Sequence, residues 1–245
     1  MTVHLVGAGP GDPGLLTRRA AELLATAEVV VYDRPSMGPI LALASATDLR
    51  CVGKAGGRPA LPQHEVNTML IELARTGLEV VRLKAGDPFV VSRGGEEAMA
   101  LAAAGVEFTV VPGVSAAVAA PALAGVPVMV RQVATTLTVI AGNDDPQHRQ
   151  RVDWDAVARL GGTVVILTGR SALRRIAADL RAAGMPADTP VTAVSAASRP
   201  AQRRTTGTLA ALPDLRLPPP VTFVIGETAG MDLVSEAREA RGAHT

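Results

Sequence analysis

Cysteine is almost missing from this chain of 245 residues: Cys51 stands alone, which excludes an internal disulfide and a thiolate metal cage. Histidine is sparse and scattered. His4, His64, His148 and His244 lack zinc-ligand spacing, and no metal site is expected. Aromatics are few as well: Tyr32, Phe89, Phe108, Trp154 and Phe223 make up 2% of the chain. That is too little for the stacking platforms of a single-stranded nucleic-acid binder. There is no excess of either charge sign. The formal net charge of +1 gives no global pull toward nucleic acid or membrane, and neither is an expected partner. Long apolar runs are also absent. The longest, Ala116 to Val130, is short for a membrane span and is interrupted by Pro121 and Pro127. The start, Met1-Thr2-Val3-His4-Leu5-Val6-Gly7, lacks the basic region and apolar segment of a signal peptide, so a cytoplasmic location is expected. Lysine is the scarcest charge. Lys54 and Lys84 stand against 22 arginines. Such a chain keeps lysine where a titratable ammonium matters, although base-composition bias produces the same count.

Val, Leu, Ile and Ala remain to fill a core, and 48% hydrophobic content is ample for one large domain or two modest ones. Val3 to Val6 reads as a strand entering Gly7-Ala8-Gly9-Pro10-Gly11-Asp12-Pro13-Gly14, with helical spacing from Leu15 to Leu24. This order suggests a dinucleotide fingerprint, yet the third glycine position holds Asp12, which would repel a pyrophosphate, and Pro10 lacks a donor. The loop suits the backbone approach of a cofactor without phosphate. Further strands are read over 28–32, 49–52, 80–84 and 107–111, with helices over 15–24, 39–46, 62–75 and 94–104 between them. Alternation of this kind makes an open parallel sheet the economical architecture. After a helix from Ser115 the pattern restarts. Strands are read at 135–141, 163–167, 190–194 and 221–225, helices at 154–160 and 173–183, and a further strand at 202–208 gives a mixed sheet. Two α/β domains, 1–113 and 114–245, with a cleft between them are the expected organisation.

The chemistry concentrates after the fourth strand, in Lys84-Ala85-Gly86-Asp87-Pro88-Phe89-Val90-Val91-Ser92-Arg93-Gly94-Gly95-Glu96-Glu97. Open α/β sheets bind ligands where a strand's carboxyl end feeds a helix. Glu96 and Glu97 fall in the first turn of that helix, where its dipole favours carboxylates. A single such loop is equally a decorated surface turn; matching loops elsewhere give the functional reading its weight.

Together, in order and spacing, these loops resemble the tetrapyrrole (corrin/porphyrin) methylase family over nearly the whole chain. The resemblance rests on residues 6–13, Leu15-Leu16-Thr17, Tyr32-Asp33, Gly53-Lys54, Gln63 with Asn67, Val81 to Phe89, Arg93 to Glu97, Pro112-Gly113-Val114-Ser115-Ala116 and Gln202-Arg203. It implies two α/β domains, a homodimer, and S-adenosyl-L-methionine bound in the interdomain cleft, leaving as S-adenosyl-L-homocysteine. The implied acceptor is a tetrapyrrole, uroporphyrinogen III, methylated at C2 and C7 to precorrin-2 for sirohaem and cobalamin. The match assigns the donor pocket to Pro10, Ala85, Gly86, Asp87, Val90, Ser115 and Ala116, with Thr168 and Ala197 from the second domain. It makes Asp33 the proton acceptor, Lys54 the proton donor, and Arg93 and Arg131 carboxylate-binding residues. The bland counterparts are a loop cap for Asp33, a solvated Lys54, and Arg131 paired with Asp144 or Asp145.

These roles suit the residue types. Transfer from a sulfonium needs in-line positioning, potentially ~7–11 kcal/mol of the barrier, and an electron-rich pyrrole carbon needs no serine or cysteine nucleophile. A polycarboxylate acceptor calls for arginine forks. Departures from the family pattern gather on the acceptor side. Ala141-Gly142-Asn143 replaces Thr-Gly-His, Leu167-Thr168-Gly169 replaces Tyr-Met-Gly, and Ser195-Ala196-Ala197 replaces Glu-Asn-Gly. Met129-Val130-Arg131 stands where Thr-His-Arg is usual, and Val91-Ser92-Arg93 where Phe-Gly-Arg is usual. Three readings follow: this methyltransferase, a paralogue with another acceptor, or a catalytically silent protein that binds S-adenosylmethionine.

Overall fold

A computed structural model of the chain describes residues 2–55, 57, 59–142 and 152–234. It divides into two compact units, Met1–Ser115 and Ala116–Thr245.

The amino-terminal unit is built on β1 (Val3–Gly7), β2 (Val29–Tyr32), β3 (Asp48–Cys51), β4 (Val80–Lys84) and β5 (Phe108–Val111). They pair in the order β3-β2-β4-β1-β5, every pair parallel. β1 and β4 are buried along their whole length, which is why they read as continuous apolar runs. Period-two alternation sorts their residues. Val3, Leu5 and Val80 pack with Val66 and Leu70 of α3 (Gln63–Arg75) and Leu101 of α4 (Gly94–Ala103). Val6, Val81 and Leu83 pack on the other face with Leu23 and Leu24 of α1 (Arg18–Thr26) and Ile40 of α2 (Gly38–Leu41). So α1 leaves β1 toward one face and α4 leaves the adjacent β4 toward the other. Such divergence opens a crevice at the strands' carboxyl ends. The same alternation puts Arg82 and Lys84 on the face covered by α3 and α4.

The carboxyl-terminal unit holds α5 (Ala116–Leu123), β6 (Leu137–Ala141), α6 (Trp154–Leu160), β7 (Thr163–Leu167), α7 (Leu173–Ala182), β8 (Pro190–Ser195), β9 (Arg203–Thr208) and β10 (Val221–Ile225). The order is β6-β7-β10-β8-β9; β6 and β7 are parallel and the other pairs antiparallel, the mixed sheet expected.

Two helices differ from expectation. The first begins at Arg18 rather than Leu15, because Pro13–Leu15 closes a 3-10 turn and the Thr17 hydroxyl caps the helix by accepting from the Ala20 amide at 3.2 Å. The helix read over 39–46 ends at Leu41. Leu43 and Ala44 continue as tight turns, and the Ser45 amide is taken by the Leu24 carbonyl at 3.2 Å. Among the described residues, no helix is long and apolar enough to cross a membrane.

Candidate active site

Three amides of the glycine-rich loop after β1, those of Ala8, Gly9 and Gly14, are taken by nearby acceptors. Ala8 N–H donates to the Lys84 carbonyl at 2.8 Å, Gly9 N–H to the Gly86 carbonyl at 3.1 Å, and Gly86 N–H returns to Gly9 at 2.8 Å. The Asp12 carboxylate accepts from Gly14 N–H at 2.8 Å. These donors would face phosphate in a dinucleotide site; here they bind neighbouring loops and Asp12. The packing is backbone on backbone. A Cβ at Gly7 would stand 2.5 Å from the Gly113 Cα and 2.7 Å from the Gly86 oxygen, so only glycine fits.

Asp87 stitches two of these loops together: one carboxylate oxygen accepts from Phe89 N–H at 2.8 Å, the other from Gly113 N–H at 3.1 Å. The Ser92 hydroxyl donates to the Asp87 carbonyl at 2.7 Å and contacts the Pro88 carbonyl. Pro10, Ala85, Gly86, Asp87, Val90 and Ser115 are all half-buried, neither core nor open surface, as is Ala116 at the start of α5. Val91 and Arg93 adopt φ of 54° and 61°, a region that costs a β-branched residue about 1–2 kcal/mol and marks a loop held by its surroundings.

Behind this edge lies a charge network. Arg82 (3% exposed) and Lys84 (1%) need anions on their face of β4, and Glu97 of α4 (0%) supplies one. Glu97 accepts from Lys84 Nζ at 2.8 Å through each oxygen, and from Arg82 Nε and Nη2 at 3.1 and 2.9 Å. Gln63 of α3 adds a bond to Glu97 at 3.3 Å. Asp33, at the end of β2, receives Arg82 Nη2 at 2.5 Å and the Ala85 amide at 3.4 Å. Burial alone would raise the Asp33 pKa; the Arg82 and Lys84 charges, with the bonds from Arg82 and Ala85, outweigh it and hold the carboxyl below its ordinary range. Burial and the neighbouring Arg82 charge hold Lys84 below the usual lysine range. Burial opposes the Arg82 charge too, but Asp33 and Glu97 prevail and raise its pKa.

Asp33 and Lys54 reach the same sheet edge. A Cβ at Gly53 would fall 1.5 Å from the Asp33 carbonyl oxygen, so the residue before Lys54 lies against the Asp33 main chain. The Lys54 side chain is exposed. Arg93 caps α4 and forks onto Glu96 at 2.9 and 2.7 Å, both groups exposed. In the carboxyl-terminal unit, Arg131 is exposed in the turn closed by the Val130–Ala134 bridge. Asn143, Asp144 and Asp145, named above, lie outside the described residues. Thr168 follows β7 with φ 62°, and Ala196, just before Ala197, has φ 48° after β8. Both are strained turns at strand carboxyl ends, the kind of position where binding loops keep such strain. Gln202 accepts from Ser198 N–H at 2.8 Å and donates to the Leu123 carbonyl at 3.0 Å, an anchor for the β8–β9 turn.

Sequence reasoning placed Lys84 at the ligand edge; its side chain lies in the core, and the Arg82–Glu97 partnership was not foreseen. Two cations at i and i+2 of a strand buried on both faces were the available signal.

A parallel five-stranded sheet and a second, mixed sheet define a two-sheet α/β protein. The chain belongs to the tetrapyrrole (corrin/porphyrin) methylases, whose family model matches residues 2–213. It is 42% identical over 243 residues to an S-adenosyl-L-methionine-dependent uroporphyrinogen III methyltransferase of Methanosarcina barkeri, covering 96% of this chain and 95% of that protein. It is 43% identical over 228 residues to siroheme synthase 1 of Klebsiella pneumoniae, spanning 92% of this chain but 48% of that longer protein. Among solved structures it is similar to uroporphyrin-III C-methyl transferase of Thermus thermophilus complexed with S-adenyl homocysteine. That likeness has a TM-score of 0.82 and 36% identity, over 93% of this chain and 98% of that one.

Proposed function

We propose that the chain transfers methyl groups from S-adenosyl-L-methionine to C2 and C7 of uroporphyrinogen III, giving precorrin-2 for sirohaem or cobalamin. The observation that carries this reading is the sheet edge where an ionised Asp33 adjoins a glycine loop whose Ala8, Gly9 and Gly14 amides are bonded to neighbouring acceptors. Such an edge fits a phosphate-free donor, and the likeness to the Methanosarcina barkeri enzyme, nearly end to end, names the acceptor. Bound S-adenosylmethionine supplies an electrophilic methyl group on a sulfonium. Pro10, Ala85, Gly86, Asp87, Val90 and Ser115 in the amino-terminal unit, and Ala116, Thr168 and Ala197 in the other, are the donor-binding positions. Each transfer breaks the S–CH₃ bond, forms a C–CH₃ bond and releases one ring proton, which Asp33 accepts; Lys54 is the proton-donor position. Arg93 and Arg131 take acceptor carboxylates, Arg93 by exchanging Glu96 for them. A cytoplasmic homodimer completes the reading.

The test is incubation with labelled S-adenosylmethionine and freshly generated uroporphyrinogen III. Label in precorrin-2, seen after oxidation as sirohydrochlorin fluorescence, is the expected result. The replaced motifs at Met129, Val130, Asn143, Thr168 and Ala197 favour a second reading, a different acceptor. Donor binding without transfer to uroporphyrinogen III is its signature. Asp33→Asn should leave S-adenosylhomocysteine affinity near normal and slow turnover about 10²-fold or more; unchanged turnover removes Asp33 from the mechanism.

A further inference from the structure

Glu97 is fully buried and reaches no solvent, so it touches neither donor nor acceptor. Its contacts run another way. One carboxylate oxygen takes Arg82 Nε at 3.1 Å, Arg82 Nη2 at 2.9 Å, Lys84 Nζ at 2.8 Å and Gln63 Nε2 at 3.3 Å. The same Arg82 Nη2 lies 2.5 Å from Asp33. A guanidinium is a rigid planar fork, so fixing Nε and Nη2 on Glu97 fixes the direction in which Nη2 meets its second carboxylate. Lys84 completes the count: Arg82 and Lys84 against Asp33 and Glu97, two cations and two anions.

We propose that Glu97 is a positioning residue: it aims the Arg82 guanidinium and thereby fixes the Asp33 carboxylate for the proton step. This rests on the reading of Asp33 as the proton acceptor. Glutamine at position 97 keeps the shape and can leave its oxygen where Arg82 and Gln63 bond, but it removes the carboxylate charge and sets an N–H₂ against Lys84 Nζ, which bonds the second oxygen at 2.8 Å. Arg82 is then held by a neutral amide oxygen in place of a carboxylate, and the fork that meets Asp33 is held less firmly. A Glu97 that only neutralised buried cations would affect stability alike in every background, and would leave no signature tied to Asp33.

A double-mutant cycle separates these. Single-turnover methyl transfer from labelled donor to uroporphyrinogen III is measured for the unmodified protein, Glu97→Gln, Asp33→Asn and the pair, with S-adenosylhomocysteine affinity by calorimetry. Glu97→Gln should slow transfer about tenfold or more in the unmodified background, but less than about twofold once Asp33 is asparagine. Donor affinity should stay within about threefold throughout. Equal slowing in both backgrounds, or none in the first, overturns the proposal. No effect of Asp33→Asn by itself sinks the Asp33 reading, a distinct outcome that takes the proposal with it. If Glu97→Gln does not fold, Glu97→Asp, which keeps the charge but draws the carboxylate back from the Arg82 fork, carries the same cycle with the same two outcomes.

Discussion

Asp33 keeps its charge because two cations face it from β4. A carboxyl held below its ordinary pKa of about 3.9 is ionised across the neutral range. The sign of the linkage follows: its pairing contributes stability fully above that ordinary value and loses it as pH falls through the lower native pKa. The stability advantage of the unmodified protein over Asp33→Asn, read from urea unfolding, should therefore be flat from about pH 5 to 8 and shrink below about pH 4. An advantage already fading near pH 6 would contradict the Arg82 pairing. At this scale Asp33 and Asp87 were legible, since each follows a strand and enters a turn. Arg93 was legible as a charge at the loop but not as one engaged by Glu96. Glu97 was legible as a first-turn carboxylate, and it is one, but its burial against Arg82 and Lys84 was not. Which face of a helix meets which strand depends on tertiary register, and linear spacing does not carry it.

At the scale of elements, three loops meet at the carboxyl ends of β1, β4 and β5, where Gly7 and Gly113 lie against each other and the Gly86 carbonyl, too close for a side chain at either glycine. Gly7→Ala should cost at least about 1–3 kcal/mol in urea unfolding, because its methyl meets backbone rather than a side chain that can turn away. It should also weaken S-adenosylhomocysteine binding in calorimetry, since the loops bearing Pro10, Ala85, Gly86 and Asp87 must separate. A stable Gly7→Ala protein with unchanged affinity would show that this contact does not hold the site. Strand and helix positions were largely readable from apolar runs and their punctuation by Gly and Pro. Helix ends were less so: Thr17 capping and the Ser45 bond to Leu24 moved two of them.

For the whole molecule, alternation of strands and helices sufficed to give a parallel sheet followed by a mixed one. Strand order was another matter. The neighbours β1 and β4 are far apart in sequence, and their pairing through Gly7 and Lys84 creates the divergence of α1 and α4 on which the site depends. The reaction is likewise a property of the entire chain. Its most direct test is mass spectrometry of the tetrapyrrole recovered after oxidation, following anaerobic incubation with methyl-labelled S-adenosylmethionine and uroporphyrinogen III. Two labelled methyl groups on the recovered ring are expected; an unlabelled ring, from protein that binds S-adenosylhomocysteine in calorimetry, would contradict the proposed reaction.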